Sequence, residues 1–250
     1  MYSSIKTIKS QAREQLLSHI WTAVFFTILT ILVNNICSLC LMMFPGGGSI
    51  LDFFLYEITT LLTNLFGGLL QMGVAAFYLN VATEKRPLSL FDLFYAFSHN
   101  PDKALKVSLM LSLMHMFLTL PYVIYTLFIM PSYTLDSLFA LEPAVMKSMG
   151  TAYLILAAGE LIYFLVSLCF EPVYYMLVDM PGLTATKAMK MSIWLMKGSK
   201  VRLLGLKLSF LPLQFVSLLT LGIGNLWLDP YINTSGACFY TDLSQKRANQ

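Results

Sequence analysis

The chain has 250 residues, of which 57% belong to the set AVILMFWYC and only 12% are charged, and its mean hydropathy is +0.70. Soluble domains contain about 45–50% apolar and about 25% charged residues, so this composition excludes an ordinary soluble domain, a disordered chain and a basic nucleic-acid-binding domain. It predicts an all-α polytopic membrane protein. Six spans of roughly 20 residues would use about half of the chain, so we expect a single integral membrane domain over 1–250.

Apolar runs interrupted by Gly, Pro or charged residues predict six membrane-spanning helices. The runs lie near 20–43, 56–82, 104–130, 151–178, 202–220 and 225–243. Only Leu221-Gly222-Ile223-Gly224 separates the last two, so a single helix over 202–228 with an external tail is the alternative. Two glycines permit a tight reversal without steric cost, and the reversal returns Lys246 and Arg247 to the side of the other basic residues. We therefore expect two helices joined by a turn.

The basic residues of the six-span arrangement fall on one side of the membrane. With the N-terminus inside, the inner segments contain every Lys and Arg except Lys147. The inner residues are Lys6, Lys9 and Arg13; Lys85, Arg86, Lys103 and Lys106; Lys187, Lys190, Lys197, Lys200, Arg202 and Lys207; and Lys246 and Arg247. Because Lys and Arg are enriched in cytoplasmic loops, this distribution predicts that both termini are cytoplasmic.

Three similar units follow one another along the chain. Each even-numbered span ends on the inner side with an aromatic pair, and each odd-numbered span is preceded by a short amphipathic helix and a polar elbow. The aromatic pairs are Phe77-Tyr78, Tyr174-Tyr175 and Phe239-Tyr240, and the elbows are Leu17-Ser18-His19, Phe97-Ser98-His99 and Met196-Lys197-Gly198. Units of about 1–82, 83–180 and 181–245 each contain two spans, which predicts three parallel helical hairpins.

The amphipathic stretches before the odd-numbered spans are candidates for contact with lipid. In the first, apolar and basic residues repeat with the same helical spacing, as in an interfacial helix. These residues are Ile5, Ile8, Ala12 and Leu16, and Lys6, Lys9 and Arg13. In the second, Ser89 and Asp92 can cap a helix, and in the third Thr184 can do so. The candidate headgroup contacts are Lys187, Lys190, Lys197, Lys200 and Arg202. Two interpretations stay open: these residues set topology by snorkelling, or they bind anionic lipid headgroups.

The C-terminal part of the sequence resembles a known family. The segments that carry the resemblance are Ala188-Met-Lys-x-Ser-x-x-Leu-Met-Lys197-Gly198-Ser-Lys200-x-Arg202-Leu, Leu208-Ser-Phe, Leu219-Thr-Leu-Gly222-Ile-Gly224-x-Leu-Trp227, Pro230-Tyr231 and Phe239-Tyr240. They are similar to the signature of the bacterial integral membrane family known as domain of unknown function 975. The resemblance implies a protein of the bacterial cytoplasmic membrane, and it implies no established activity or catalytic residues.

Three residues with acidic or imidazole side chains are predicted deep within spans: His115, Glu160 and Glu171. A charge at the bilayer centre costs at least about 2.5–3.5 kcal/mol, so such residues are functional candidates. At 1.5 Å per residue, Glu171 and His115 are each predicted roughly 10–13 Å from the inner boundary, where they would form a pair. Glu160 is predicted nearer the outer third, level with Asn34 and Asn35. These five residues form a candidate intramembrane polar site, and the alternative is that they are internally satisfied groups that hold helices together.

The same residues do not form a recognisable catalytic or metal site. A zinc hydrolase would need His-x-x-x-His or several carboxylates at one level, and the Ser-His dipeptides are neighbours that diverge on a helix. We therefore expect no enzyme activity, no metal and no cofactor. The favoured function is a non-enzymatic, lipid-interacting or membrane-organising protein whose partners are membrane lipids, with anionic lipids as the expected class, and not nucleic acid. The alternative is a small-solute or proton-coupled transporter or channel.

Overall fold

The computed structural model describes residues 3–42, 50–129 and 142–248, and all regular structure within these ranges is helical. The helices of the N-terminal half are α1 (Ile5–Leu17), α2 (Ile20–Met42), α3 (Ile50–Thr83), α4 (Tyr95–Ser98) and α5 (Pro101–Ile124), with a 3₁₀ helix at Leu90–Phe94 and a π-helical turn at Tyr125–Ile129. Those of the C-terminal half are α6 (Pro143–Ser167), α7 (Val173–Asp179), α8 (Ala185–Leu195), α9 (Lys200–Leu208), α10 (Leu211–Leu219) and α11 (Asn225–Ala248).

Four segments of the described chain are long and apolar enough to cross a membrane. They are Glu57–Thr83, Pro101–Phe128, Pro143–Ser167 and Lys200–Leu219. The pair α1 and α2, which is bent by 94°, makes a fifth if it is taken as one broken span. The most C-terminal helix, α11, does not meet the same criterion because it contains polar residues such as Asp229 and Asn233. The chain is thus an all-helical protein with four or five candidate spans, and the sixth span stays a prediction.

The central element is α3, whose candidate span is 72% buried, against 17% for that of α5 and 11% for that of α6. It packs against α1, α2, α5, α7 and α11. Glycines allow the closest approaches: a Cβ on Gly73 would lie 2.0 Å from the Leu93 carbonyl oxygen, and one on Gly68 would lie 2.3 Å from the Ser108 Cβ. These two glycines therefore allow close packing on α3, whereas Gly67 faces open space.

The chain reverses between α10 and α11, as expected. Leu221 and Gly222 both have positive φ angles, of 53° and 84°, and Ser217 Oγ donates a hydrogen bond of 2.7 Å to Asn225 Oδ1 across the turn. The alternative of one helix over 202–228 is therefore wrong.

The fourth predicted span has different limits in the structure. Instead of one helix over 151–178, α6 begins earlier, at Pro143, and ends at Ser167, and α7 begins only after Pro172. Proline lacks a backbone N–H and cannot continue the hydrogen-bond ladder of the preceding helix. Glu171 consequently lies in the turn between two helices.

The three aromatic pairs contribute to one hydrophobic core. Its buried members include Phe77, Tyr78, Tyr175, Phe239 and Tyr240. The rings of Tyr175 and Tyr240 stack with centroids 5.6 Å apart, and Phe77 stacks on Phe26 at 3.9 Å. Members of all three aromatic pairs therefore lie in the same core.

The apolar face of α1 is buried inside the protein. Ile8, Ala12 and Leu16 belong to the same core, and α1 packs against α11, α3 and α9. The sequence correctly indicated which residues of α1 are buried, but these residues contact protein, so the expected interfacial helix does not present this face to lipid.

Candidate functional site

The four basic segments of the sequence meet at one end of the bundle, which we call the basic end. Arg202 NH2 lies 2.6 Å from Asp242 Oδ2 and donates to the Ser3 carbonyl oxygen, also at 2.6 Å. Ser3 Oγ in turn donates to Asp242 Oδ1 at 2.7 Å, and the ammonium of Lys246 pairs with the same carboxylate. The N-terminus, α9 and α11 are thereby fixed to one another.

A second junction at the basic end joins the ends of three helices. Asp179, at the end of α7, accepts a hydrogen bond from Tyr240 Oη at 3.2 Å and pairs with Lys85 Nζ, which follows α3, at 3.2 Å. Lys103 donates to the Pro181 carbonyl oxygen. One end of each of α3, α7 and α11 therefore meets the others at the basic end, which agrees with the one-sided distribution of basic residues.

A polar cavity of about 440 Å³ lies between α1, the end of α3 and α11 at the basic end. Its walls are mainly amides and hydroxyls, with one lysine and one carboxylate. The lining residues are Ser3, Gln11, Gln15, Ala82, Thr83, Lys85, Cys238, Thr241, Asp242 and Gln245. Gln15 closes one wall, because its Nε2 donates to the Ala82 carbonyl oxygen at 2.8 Å and its Oε1 accepts from Cys238 Sγ at 3.0 Å.

The predicted headgroup contacts on α8 and the following elbow lie on the surface. We call this surface the lysine–tryptophan patch; it comprises Lys187, Lys190, Ile193, Trp194, Lys197, Lys200 and Val201, all of which are exposed. Among the described residues, no carboxylate pairs with any of its four lysines. The patch is extended by Arg247, whose guanidinium lies 4.8 Å from the centre of the Trp194 ring and donates to the Lys197 carbonyl oxygen at 2.8 Å.

Arg202, the fifth predicted headgroup contact, has a different environment from the four lysines. Its side chain is 16% exposed, is paired with Asp242 and lies over the ring of Phe239 at 4.9 Å. The structure therefore places Arg202 in the internal charge cluster and leaves the four lysines as the surface group.

The intramembrane candidates form two separate pairs. His115 Nε2 on α5 lies 2.8 Å from Glu160 Oε1 on α6, and the imidazole ring contacts the edge of Tyr163 with centroids 4.7 Å apart. Glu57 on α3 is close enough to His115 to interact electrostatically with it. Glu171 instead accepts from Lys207 Nζ on α9 at 2.9 Å.

The predicted pair of Glu171 and His115 is therefore wrong. The depth estimate assumed a continuous fourth span to residue 178, whereas α6 ends at Ser167. This earlier end places Glu160 only seven residues from the C-terminal end of its helix, at the level of His115, and moves Glu171 out of the helix to the basic end.

Asn34 and Asn35 lie on a different helix from either pair. Both are exposed on α2, and Asn35 Nδ2 donates to the Ile31 carbonyl oxygen of its own helix at 2.9 Å. Helix α2 packs against α3 and α11, whereas Glu160 is on α6, which packs against α5. The five predicted residues therefore do not form one site.

A family model described as protein of unknown function, DUF975, matches residues 1–247. The chain belongs to this family. The match confirms the resemblance seen in the C-terminal signature and extends it over both other units. No curated protein and no solved structure matches the DUF975 chain.

In this DUF975 protein, sequence reasoning missed the partners rather than the polar residues themselves. It did not indicate that Glu171 pairs with Lys207, that Asp242 pairs with Arg202, or that Glu57 lies within electrostatic range of His115. These residues are far apart in sequence and lie on helices whose packing is not encoded in local spacing. The one local signal was Pro172, because proline interrupts the backbone hydrogen bonds of a helix beside Glu171.

Proposed function

We propose that this DUF975 protein is a non-enzymatic protein of the bacterial cytoplasmic membrane that binds anionic lipid headgroups through its lysine–tryptophan patch. In this proposal both termini are cytoplasmic, and the six predicted spans form three parallel hairpin repeats that display the patch at the inner membrane surface.

The observation that carries the proposal is the combination of four unpaired lysines with exposed aromatic and aliphatic side chains. Each Lys near an anionic membrane surface contributes about 1 kcal/mol to binding. Trp is enriched at the membrane interface, where its ring meets headgroups. The side chain of Trp194 is 52% exposed and that of Val201 81% exposed, beside lysines that no described carboxylate neutralises.

Two features support the repeat arrangement on which the placement of the patch depends. The aromatic pairs of the three units pack in one core, and the inner ends of α3, α7 and α11 meet at Asp179. Three hairpins related by an axis near the membrane normal would bring equivalent residues together in this way.

The test is the lipid that the purified protein retains. Replacing Lys187, Lys190, Lys197 and Lys200 by Gln should lower the affinity for anionic lipid by at least about tenfold, as measured by native mass spectrometry from nanodiscs that contain anionic and zwitterionic lipid. Lys6→Gln and Lys147→Gln are controls, because both residues are exposed and lie outside the patch. An unchanged lipid profile in the fourfold variant would leave these lysines as topology determinants and would reject the proposal.

The transporter alternative receives less support. A polar pathway was expected to be lined by His115, Glu160 and Glu171 together, but these residues form two separate pairs. The polar cavity at the basic end includes none of them. Lipid binding at the surface is therefore the function we propose.

A further inference from the structure

The pair of His115 and Glu160 is half-exposed in an otherwise apolar surface. The two side chains are 34% and 48% exposed. Exposed apolar side chains surround them on both helices, including Leu113 and Phe117 on α5 and Leu154 and Leu161 on α6. Glu160 lies seven residues from the nearer end of its helix, or about 10 Å along the axis. This depth is within the apolar part of the candidate span.

Lipid chains cannot provide polar contacts for such a pair. They offer neither hydrogen bonds nor a high dielectric constant, and ionisable residues in membrane helices almost always face protein or a water-filled cavity. Glu57 of α3 lies within electrostatic range of His115, but the exposed part of the Glu160 carboxylate still needs a polar neighbour.

We propose that a second copy of the chain covers this surface, so that the outer faces of α5 and α6 form a symmetric dimer interface. A two-fold axis along the membrane normal preserves the orientation of both copies and brings the same patch against itself. The patch places the base His115 beside the acid Glu160, with the partly buried Glu57 of α3 near them. Each copy therefore offers both a base and an acid to its own rotated copy. His115 of one copy then lies against Glu160 of the partner subunit, within an apolar rim.

The position of α6 leaves room for this contact. Only 11% of its candidate span is buried, and it packs closely against α5 on one side. Its face away from α5 carries the small residues Gly150 and Ala157, and Glu160, which reaches His115 on α5, lies at the edge of that face; all three are exposed. This inference is independent of the proposed lipid binding, which concerns residues of α8 and its elbow.

The interface can be tested by disulfide cross-linking in native membranes. A cysteine at Ala157, one turn from Glu160, should form a covalent dimer when the membranes are oxidised with copper phenanthroline. Val216→Cys is the matched control, because Val216 is also exposed and apolar but lies on α10. Both variants are made in a chain with Cys37 and Cys40 replaced by Ser. Equal cross-linking at both positions, or a solely monomeric mass in native mass spectrometry, would overturn the inference.

The role of the His115–Glu160 pair can be tested by substituting one residue and by exchanging the two. In the Ala157→Cys background, Glu160→Leu leaves His115 unpaired and should reduce cross-linking at least about tenfold. The double variant His115→Glu with Glu160→His restores a complementary pair and should recover most of the cross-linking, which shows that the loss in the single variant is not a folding failure. Undiminished cross-linking in Glu160→Leu, or no recovery in the double variant, would contradict the role of the pair.

Discussion

At the scale of single residues, two opposing effects act on the pKa of the Asp92 carboxyl group. It lies in the 3₁₀ helix, outside the candidate spans, where its Oδ1 is 3.7 Å from Arg86 NH2 and its Oδ2 is buried without a hydrogen-bond partner in the described structure. Burial raises the pKa of Asp92, and the positive charge of Arg86 and a backbone hydrogen bond at Ser89 only partly oppose this increase. The folded protein therefore binds a proton at Asp92 more tightly than the unfolded chain does.

The raised pKa predicts a pH dependence of stability with a definite sign. The stabilisation from protonated Asp92 is complete below its unfolded pKa and is lost as the pH rises through its higher folded pKa. Thermal unfolding in detergent should therefore show that wild type gains stability relative to Asp92→Asn as the pH falls from 7 towards 4. A difference between the two proteins that is constant over this range would contradict the expected shift.

Replacing either of two glycines of α3 by alanine is expected to change the stability of the protein in opposite directions. Gly73→Ala places a methyl group against the Leu93 carbonyl oxygen and should destabilise the protein by about 1–3 kcal/mol through overpacking. Gly67→Ala meets open space and should stabilise it by up to about 1 kcal/mol, because Ala favours the helix. The midpoint temperature of thermal unfolding measures the effect of each substitution. Equal shifts of this temperature in the two variants would show that the close contact of α3 with the 3₁₀ helix is absent.

At the scale of elements, the first helix shows what periodicity can and cannot predict. The spacing of Ile8, Ala12 and Leu16 correctly identified the buried face, because side chains four residues apart share one side of a helix. It could not distinguish burial in lipid from burial in protein, since both favour the same residues. The fourth predicted span failed for a related reason: an apolar run continues through Glu171 and Pro172, and hydropathy alone does not show where its helix ends.

Docking of α1 predicts a stability effect for its buried face. Ile8→Ala removes a fully buried side chain and should cost about 2–5 kcal/mol. Lys6→Ala, on the exposed side of the same helix, should change the free energy of unfolding by less than about 0.5 kcal/mol. Similar losses for both variants, measured by thermal unfolding in detergent, would mean that α1 contributes little through packing.

At the scale of the whole molecule, the sequence predicted the class, the family and the segments that meet at the basic end. The positions of Lys and Arg were informative because they assign whole segments to one side of the predicted arrangement. This assignment does not depend on where each helix ends. The assignments that failed were specific pairs: His115 was expected to meet Glu171 but meets Glu160. Which side chains pair depends on where each helix ends and on how it is rotated about its axis, to within one turn. A single sequence does not define either property.

The proposed topology predicts which cysteines react from outside the cell. Glu142→Cys, at the start of α6, should react with a membrane-impermeant maleimide in intact cells. Glu84→Cys, directly after α3, should react only after the cells are opened. Both positions are exposed, so accessibility to the reagent is matched. Labelling of Glu84→Cys in intact cells would reverse the proposed orientation of α3.

The cluster that joins Ser3 to Asp242 also determines the order in which the protein can be assembled. The ribosome makes α1 first, yet the residues that hold it, in α9 and α11, emerge more than 190 positions later. Contacts of such long sequence separation form late. Helix α3 can cover part of the apolar face of α1 early, but the part that packs against α9 and α11 stays uncovered until those helices are made. A chain truncated before α11 should therefore present that part to chaperones or proteases.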